Sequence, residues 1–181
     1  LEAAVDDLPR QERIGRAVAI EVRRGVDACF GNGRAPIAAV ALGDLTDPIV
    51  SLLKQSGERS ITIAPETGSD RLRRVINKTV TNDQILDKTD LIFRHGIENL
   101  KLYFMIGLPS EETADLEAIR DLVREMRARM LQHAAARGTV GRLVASVNPL
   151  GPKPGTTYQW LPMTPSTEID AKIEQLRALV A

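Results

Sequence analysis

Three short stretches set reactive residue types beside glycine and proline: "APETGSD" at 64–70, "FMIGLPSEE" at 104–112 and "VNPLGPKPG" at 147–155. Each follows an apolar run. A loop that only turns the chain needs a glycine or a cap. It does not need a carboxylate, a proline and a small hydroxyl together. In the first stretch, strand periodicity puts Thr62, Ala64 and Glu66 on one face and Ile61 and Ile63 on the other. Glu66 is therefore expected to point inward at the mouth of a small, polar surface suited to a ligand. Two local roles compete for it: capping the next helix, or pairing with Arg71. In the second stretch, Gly107 allows close backbone approach and Pro109 sets the exit turn. Ser110 is the expected helix cap there, with Glu111 and Glu112 in the first turn. The apolar edge before Pro109 suits a planar ring such as a purine.

The elements that carry these tips are readable from periodicity. Apolar residues at Ile14, Val18, Val22, Val26 and Phe30 predict a helix over 11–30, broken by "GNGRAP". Strands are expected at 37–42, 60–66, 99–107 and 142–148. Helices are expected over 48–57, 69–78, 81–96, 110–138 and 166–180. Thr46 or Asp47, Ser69, and Thr81 or Asn82 are candidate caps. Buried strands alternating with helices imply an α/β fold with a parallel sheet of about four main strands and helices outside. Ligands in such folds bind beyond the carboxyl ends of the strands, where the three stretches fall.

The bulk numbers close off several classes. The 181 residues suffice for one domain with a sizeable core. Lys+Arg and Asp+Glu are both 24, so the neutral balance gives no reason to expect a nucleic-acid surface. One cysteine, Cys29, excludes an internal disulfide and a cysteine-built metal site in this chain; it reads as a small buried apolar residue. His95 and His133 lie in separate segments, and no metal ligand set is assigned. No apolar run is long enough to span a membrane. The chain starts at Leu1 without a signal peptide, so a cytoplasmic piece of a longer protein is expected.

Taken together, the three tips resemble the radical S-adenosylmethionine (SAM) superfamily. "PETGSDRLRRVINK" is similar to its fourth-strand signature, E-x-G-S followed by a helix and an Asn-Lys/Arg pair. "LKLYFMIGLPSEE" is similar to the fifth-strand G-x-I-x-G-x-P motif, with Tyr103 where its first glycine would stand. "ASVNPLGPKPGTTYQW" resembles the sixth strand and its loop, closest to a branch with PKPxTP[FY]QW here, some members of which carry a cobalamin-binding-type domain. The third-strand tip, "IAAVALGDL", departs from the family by being almost wholly apolar. The resemblance covers about residues 37–181 and implies part of a (β/α)6 TIM-like barrel. "LEAAVDDLPR" resembles the tip of the second strand, so the resemblance places the first strand and the Cys-x3-Cys-x2-Cys loop upstream of this chain.

What the resemblance implies is a fragment of an enzyme that cleaves SAM reductively, at a [4Fe–4S] cluster, to a 5′-deoxyadenosyl radical acting on an unknown substrate. The isolated chain would be inactive, and the intact protein would need a reductant protein. By position, Glu66, Gly68 and Ser69 would meet the amino or ribose end of SAM, and Lys78 its carboxylate. Ile106 and Gly107 would line the adenine, with Asn148 nearby. The resemblance assigns no catalytic residue. Rival readings are a barrel that binds phosphate at a helix N-terminus, a non-catalytic docking fragment, and a methylthiotransferase-type relative. "GNGRAP" sits at the wrong barrel end for the first. Nothing basic supports the third. Strands missing from the sheet would leave an open edge, through which self-association is expected.

Overall fold

The computed structural model describes residues 18–22 and 38–180, and side chains are described from 40 to 178. "LEAAVDDLPR", Cys29 and "GNGRAP" lie outside the described residues.

Five parallel strands form one sheet: β1 (Val18–Val22), β2 (Ala38–Ala39), β3 (Ser60–Glu66), β4 (Asn99–Ile106) and β5 (Leu143–Pro149). Their spatial order is β1-β5-β4-β3-β2. The helices are α1 (Asp47–Gln55), α2 (Asp70–Val75), α3 (Asn82–Arg94), α4 (Thr113–Arg137) and α5 (Ser166–Val180). This is the expected parallel α/β architecture, and β3, β4 and β5 fall within a residue of their expected bounds.

Two expectations fail at the N-terminal side. Residues 18–22 are not helical; "VAIEV" pairs with β5 from Val18↔Leu143 to Val22↔Val147. Three valines and isoleucines in five positions favour a pleated surface over a helix, and the β5 edge supplies partners that the local helical spacing cannot offset. The strand expected over 37–42 shrinks to Ala38–Ala39. A 3-10 turn at Leu42–Asp44 then swings Leu42 and Leu45 into the core.

One face of the sheet makes that core. Ile61 and Ile63, Leu100, Leu102, Phe104 and Ile106, and Leu143, Ala145 and Val147 are all buried. They meet Val50 of α1, Ile85 to Phe93 of α3, Leu116 to Met130 of α4 and Ile173 of α5. The helices therefore lie against that face. Residues between these on the strands, among them Thr62, Lys101, Tyr103, Ser146 and Asn148, alternate onto the opposite face.

Candidate functional site

The tip of β3 is irregular, and the irregularity aims Glu66. The register runs evenly from Ser60↔Asn99 to Ile63↔Leu102, then skips so that Glu66 meets Phe104. One extra residue on β3 makes a bulge, a device that re-aims a side chain. Glu66 also has a left-handed backbone, φ +67°, a conformation uncommon for a residue with a side chain and enriched at functional sites. The simple alternation that would group Thr62, Ala64 and Glu66 ends at this bulge.

Glu66 neither caps α2 nor pairs with Arg71. Its Oε1 accepts a hydrogen bond from Lys78 Nζ at 3.1 Å, and the same ammonium donates to Ala64 O at 2.6 Å. The route that returns Lys78 to the strand is local. Ile76 ends α2, and Asn77 takes a left-handed conformation, φ +57°. Lys78 N–H then reaches back to Arg73 O at 2.8 Å and Asn77 N–H to Arg74 O at 3.1 Å. That is the helix-ending motif in which asparagine substitutes for glycine. The Asn-Lys pair thus has a mechanical reason: Asn77 turns the chain and Lys78 is delivered to the tip of β3.

Ser69 caps α2, accepting from Leu72 N–H at 3.0 Å, but its hydroxyl donates to Asp115 of α4 rather than joining Glu66 and Lys78. Asp115 is buried and also receives Arg71 and the Glu112 N–H, the latter at 2.8 Å. Burial alone would raise the Asp115 pKa. The bonds from Ser69, Glu112 and Arg71 outweigh it, and the pKa lies below the usual carboxylate value. A carboxylate held low contributes stability that is present above its unfolded pKa, about 3.9. That contribution is lost as pH falls through the folded value. Asp115→Asn is expected to shrink the loss of stability between about pH 7 and about pH 2.5, measured by urea unfolding. An unchanged acid limb would show that Asp115 is not a main source of it.

Gly68 is a packing glycine. A Cβ there would lie 2.1 Å from the backbone nitrogen of Ile119 in α4. Around it runs a network missed by sequence reading. The Arg73 side chain is wholly buried and donates to Thr67 O, Val80 O, Asp70 and Asn82. Asn82 in turn donates to Gly68 O at 3.0 Å. The only signal available beforehand was the crowding of arginines and Asp70 in one short helix.

At the tip of β4, Gly107 needs its glycine, with φ +73°. Its N–H donates to Glu111 Oε1 at 3.1 Å, and Glu111, 2% exposed at its side chain, also binds Lys172 of α5 at 2.8 Å. Burial would lower the Lys172 pKa, but Glu111 and Glu168 hold it above the ordinary value. Where a Gly107 Cβ would point, Thr164 and Ile169 already sit. Ile106 is buried in the core, and its carbonyl accepts from Leu150 N–H at 2.8 Å. Ser110 is not the cap of α4; Glu112 takes that place, and Ser110 itself is left-handed, φ +57°. The E-x-x-D spacing of Glu112 and Asp115 was the overlooked sign. Asn148 lies in register with Met105, on the face turned from the helices.

The structure thus brings Glu66 and Lys78 together and turns Ser69 toward α4. Lys78 and Ala64 line a cavity of about 660 Å³ with Val40 to Gly43, Val80 and Asp87, within the size range of small-molecule sites. Among the described residues no cluster of three metal-ligating side chains occurs, and no helix is long and apolar enough to cross a membrane.

The family model of the radical SAM superfamily matches residues 5–123. An uncharacterized protein of Methanocaldococcus jannaschii, MJ0966, is 35% identical over 115 residues, which cover 64% of this chain and 23% of that protein. The heme chaperone HemW of Lactococcus lactis subsp. lactis is 26% identical over 93 residues, 51% of this chain and 24% of its own. The chain spans about a quarter of the length of the curated relatives it matches.

Proposed function

Because the chain belongs to the radical SAM superfamily, we propose that it supplies part of the SAM site of a radical SAM enzyme. The observation that carries this reading is the Glu66–Lys78 pair at the bulged tip of β3. An ammonium has three donors and a carboxylate two oxygens. Lys78 uses two donors, on Ala64 and Glu66. One N–H of Lys78 and the second oxygen of Glu66 remain for a ligand. A paired cation and anion match the zwitterionic end of SAM, carboxylate to Lys78 and ammonium or ribose hydroxyl to Glu66. The residues present fit SAM in this respect. They do not fit an iron–sulfur cluster: the one cysteine of the sequence cannot replace the several thiolates a cluster needs, so cluster ligands would come from elsewhere in the intact protein.

When bound at such a cluster, SAM supplies a carbon radical able to abstract hydrogen from substrate. The part of this chain is narrower. Lys78 and Glu66 fix the amino-acid end, the Arg73 network holds their loop, and Gly107 with Glu111 sets the β4 tip. For Ile106, only the backbone is available to a purine, since its side chain is in the core. Ser69 would act by positioning α2 through Asp115.

The test is SAM binding and 5′-deoxyadenosine release by the full-length protein. Glu66→Ala and Lys78→Ala are each expected to weaken SAM binding by about 1.5–3 kcal/mol, the range for hydrogen bonds to charged groups. If both variants bind and cleave SAM like the wild type, the pair is structural and the assignment fails.

A further inference from the structure

The sheet face turned away from the helices carries polar groups that nothing described satisfies. Thr62 is 4% exposed and Ser146 is wholly buried, yet Thr62 Oγ1 and Ser146 Oγ have no hydrogen-bond partner among the described residues. Buried hydroxyls are almost always paired, and an exception calls for a missing group. Between them lies a cation. Thr62 is directly across from Lys101, and Ser146 directly across from Tyr103. Lys101 is partly buried and its ammonium lies 5.1 Å from the centre of the Tyr103 ring. Among the described residues Lys101 makes no ion pair; the ring is its one electrostatic contact. A ring face offsets only a fraction of the charge of a desolvated ammonium. An anion is favoured at the β3–β4 side of the face, where Lys101 and Thr62 are neighbours about 4.8 Å apart along the sheet.

We propose that this face binds the anionic group, a carboxylate or a phosphate, of the enzyme's substrate, with the Lys101 ammonium supplying the charge and the Thr62 hydroxyl the second hydrogen bond. Tyr103 closes the far side of the ammonium and gives the ligand an aromatic wall. Ser146, one row nearer the strand tips, meets an uncharged polar group of the same ligand. That this ligand is the substrate rests on the SAM site proposed above, which lies at the tips of the same strands. The binding of an anion does not.

The test is titration of the full-length protein, without SAM, by calorimetry with succinate, inorganic phosphate and uncharged succinamide. One of the anions is expected to bind and succinamide is not; which anion binds more tightly identifies the carboxylate or the phosphate source. Lys101→Gln should weaken that binding by about tenfold or more, and Thr62→Val by about fivefold, as losses of charged and neutral hydrogen bonds. Lys101→Arg should keep it within a few-fold, which separates loss of charge from loss of fold. The proposal is overturned if neither anion binds, if succinamide binds equally, or if Lys101→Gln binds like the wild type. An unchanged Thr62→Val would assign that hydroxyl to a buried water and overturns the site as drawn. Anion binding in a protein that does not bind SAM would sink the proposed function and leave this site standing; SAM binding without anion binding would do the reverse.

Discussion

Replacing Arg73 with leucine is expected to destabilise the chain by about 2–4 kcal/mol, since removing a buried donor strands the acceptors it serves at about 1–3 kcal/mol each. The guanidinium is wholly buried, and burial pushes its pKa down while Asp70 pulls it back. A guanidinium stays charged even so. Its loss leaves the carbonyls of Thr67 and Val80 without that donor and Asp70 without its cation. The carbonyls carry most of the penalty, because Asp70 is more than a third exposed and keeps the Asn82 N–H. Those two carbonyls belong to the segments that follow Glu66 and Lys78, so the site should loosen with the fold. Urea unfolding at neutral pH reads the effect directly. A loss under about 1 kcal/mol, the net worth of one ordinary hydrogen bond, would mean that water replaces the arginine and that the network is not what holds this turn.

Gly68→Ala is the second large effect. The new methyl would lie 2.1 Å from Ile119 N, 2.2 Å from Ala118 C and 2.5 Å from Ala118 O. These are backbone atoms in the second turn of α4, so no rotamer relieves the clash. Overpacking typically costs about 1–3 kcal/mol, and here the upper end or beyond is expected, because a whole helix must shift. The measurement also separates two meanings of Gly68. A packing glycine loses stability whether or not ligand is present. A glycine kept for SAM would leave the unfolding midpoint of the ligand-free chain near the wild-type value and lose SAM binding alone.

The long strands and their helices were legible in the chain because their signals are local. β3, β4 and β5 are short apolar runs bounded by turn residues, and Ser69 and Thr81 are caps of the preferred types. The family could be named for a related reason: the E-x-G-S and Gly-Leu-Pro tips are contiguous, and each residue's type survives without its partners. Asn77 and Lys78 stood next to each other as a pair, and the left-handed turn only explains why.

Tertiary structure decided the rest, wherever a residue's role depends on something distant in sequence. Residues 18–22 carry helical spacing and strand propensity at once, and the free edge of β5 settles them as a strand. Glu66 had two plausible local partners and took Lys78 instead, because a bulge, invisible to a period of two, turned it. Gly68 reads as a ligand glycine in its motif, and only the approach of α4 gives it a packing role. Ser69 and Asp115 are 46 positions apart, and nothing in either segment announces the bond. Lys101 and Tyr103 were two residues of an apolar strand until Thr62 and Ser146 were set across from them, hydroxyls with no partner among the described residues. Backbone preference acts over a few residues, so it can be read from the chain. The pairing of charges and hydroxyls is fixed only when strands register and helices dock.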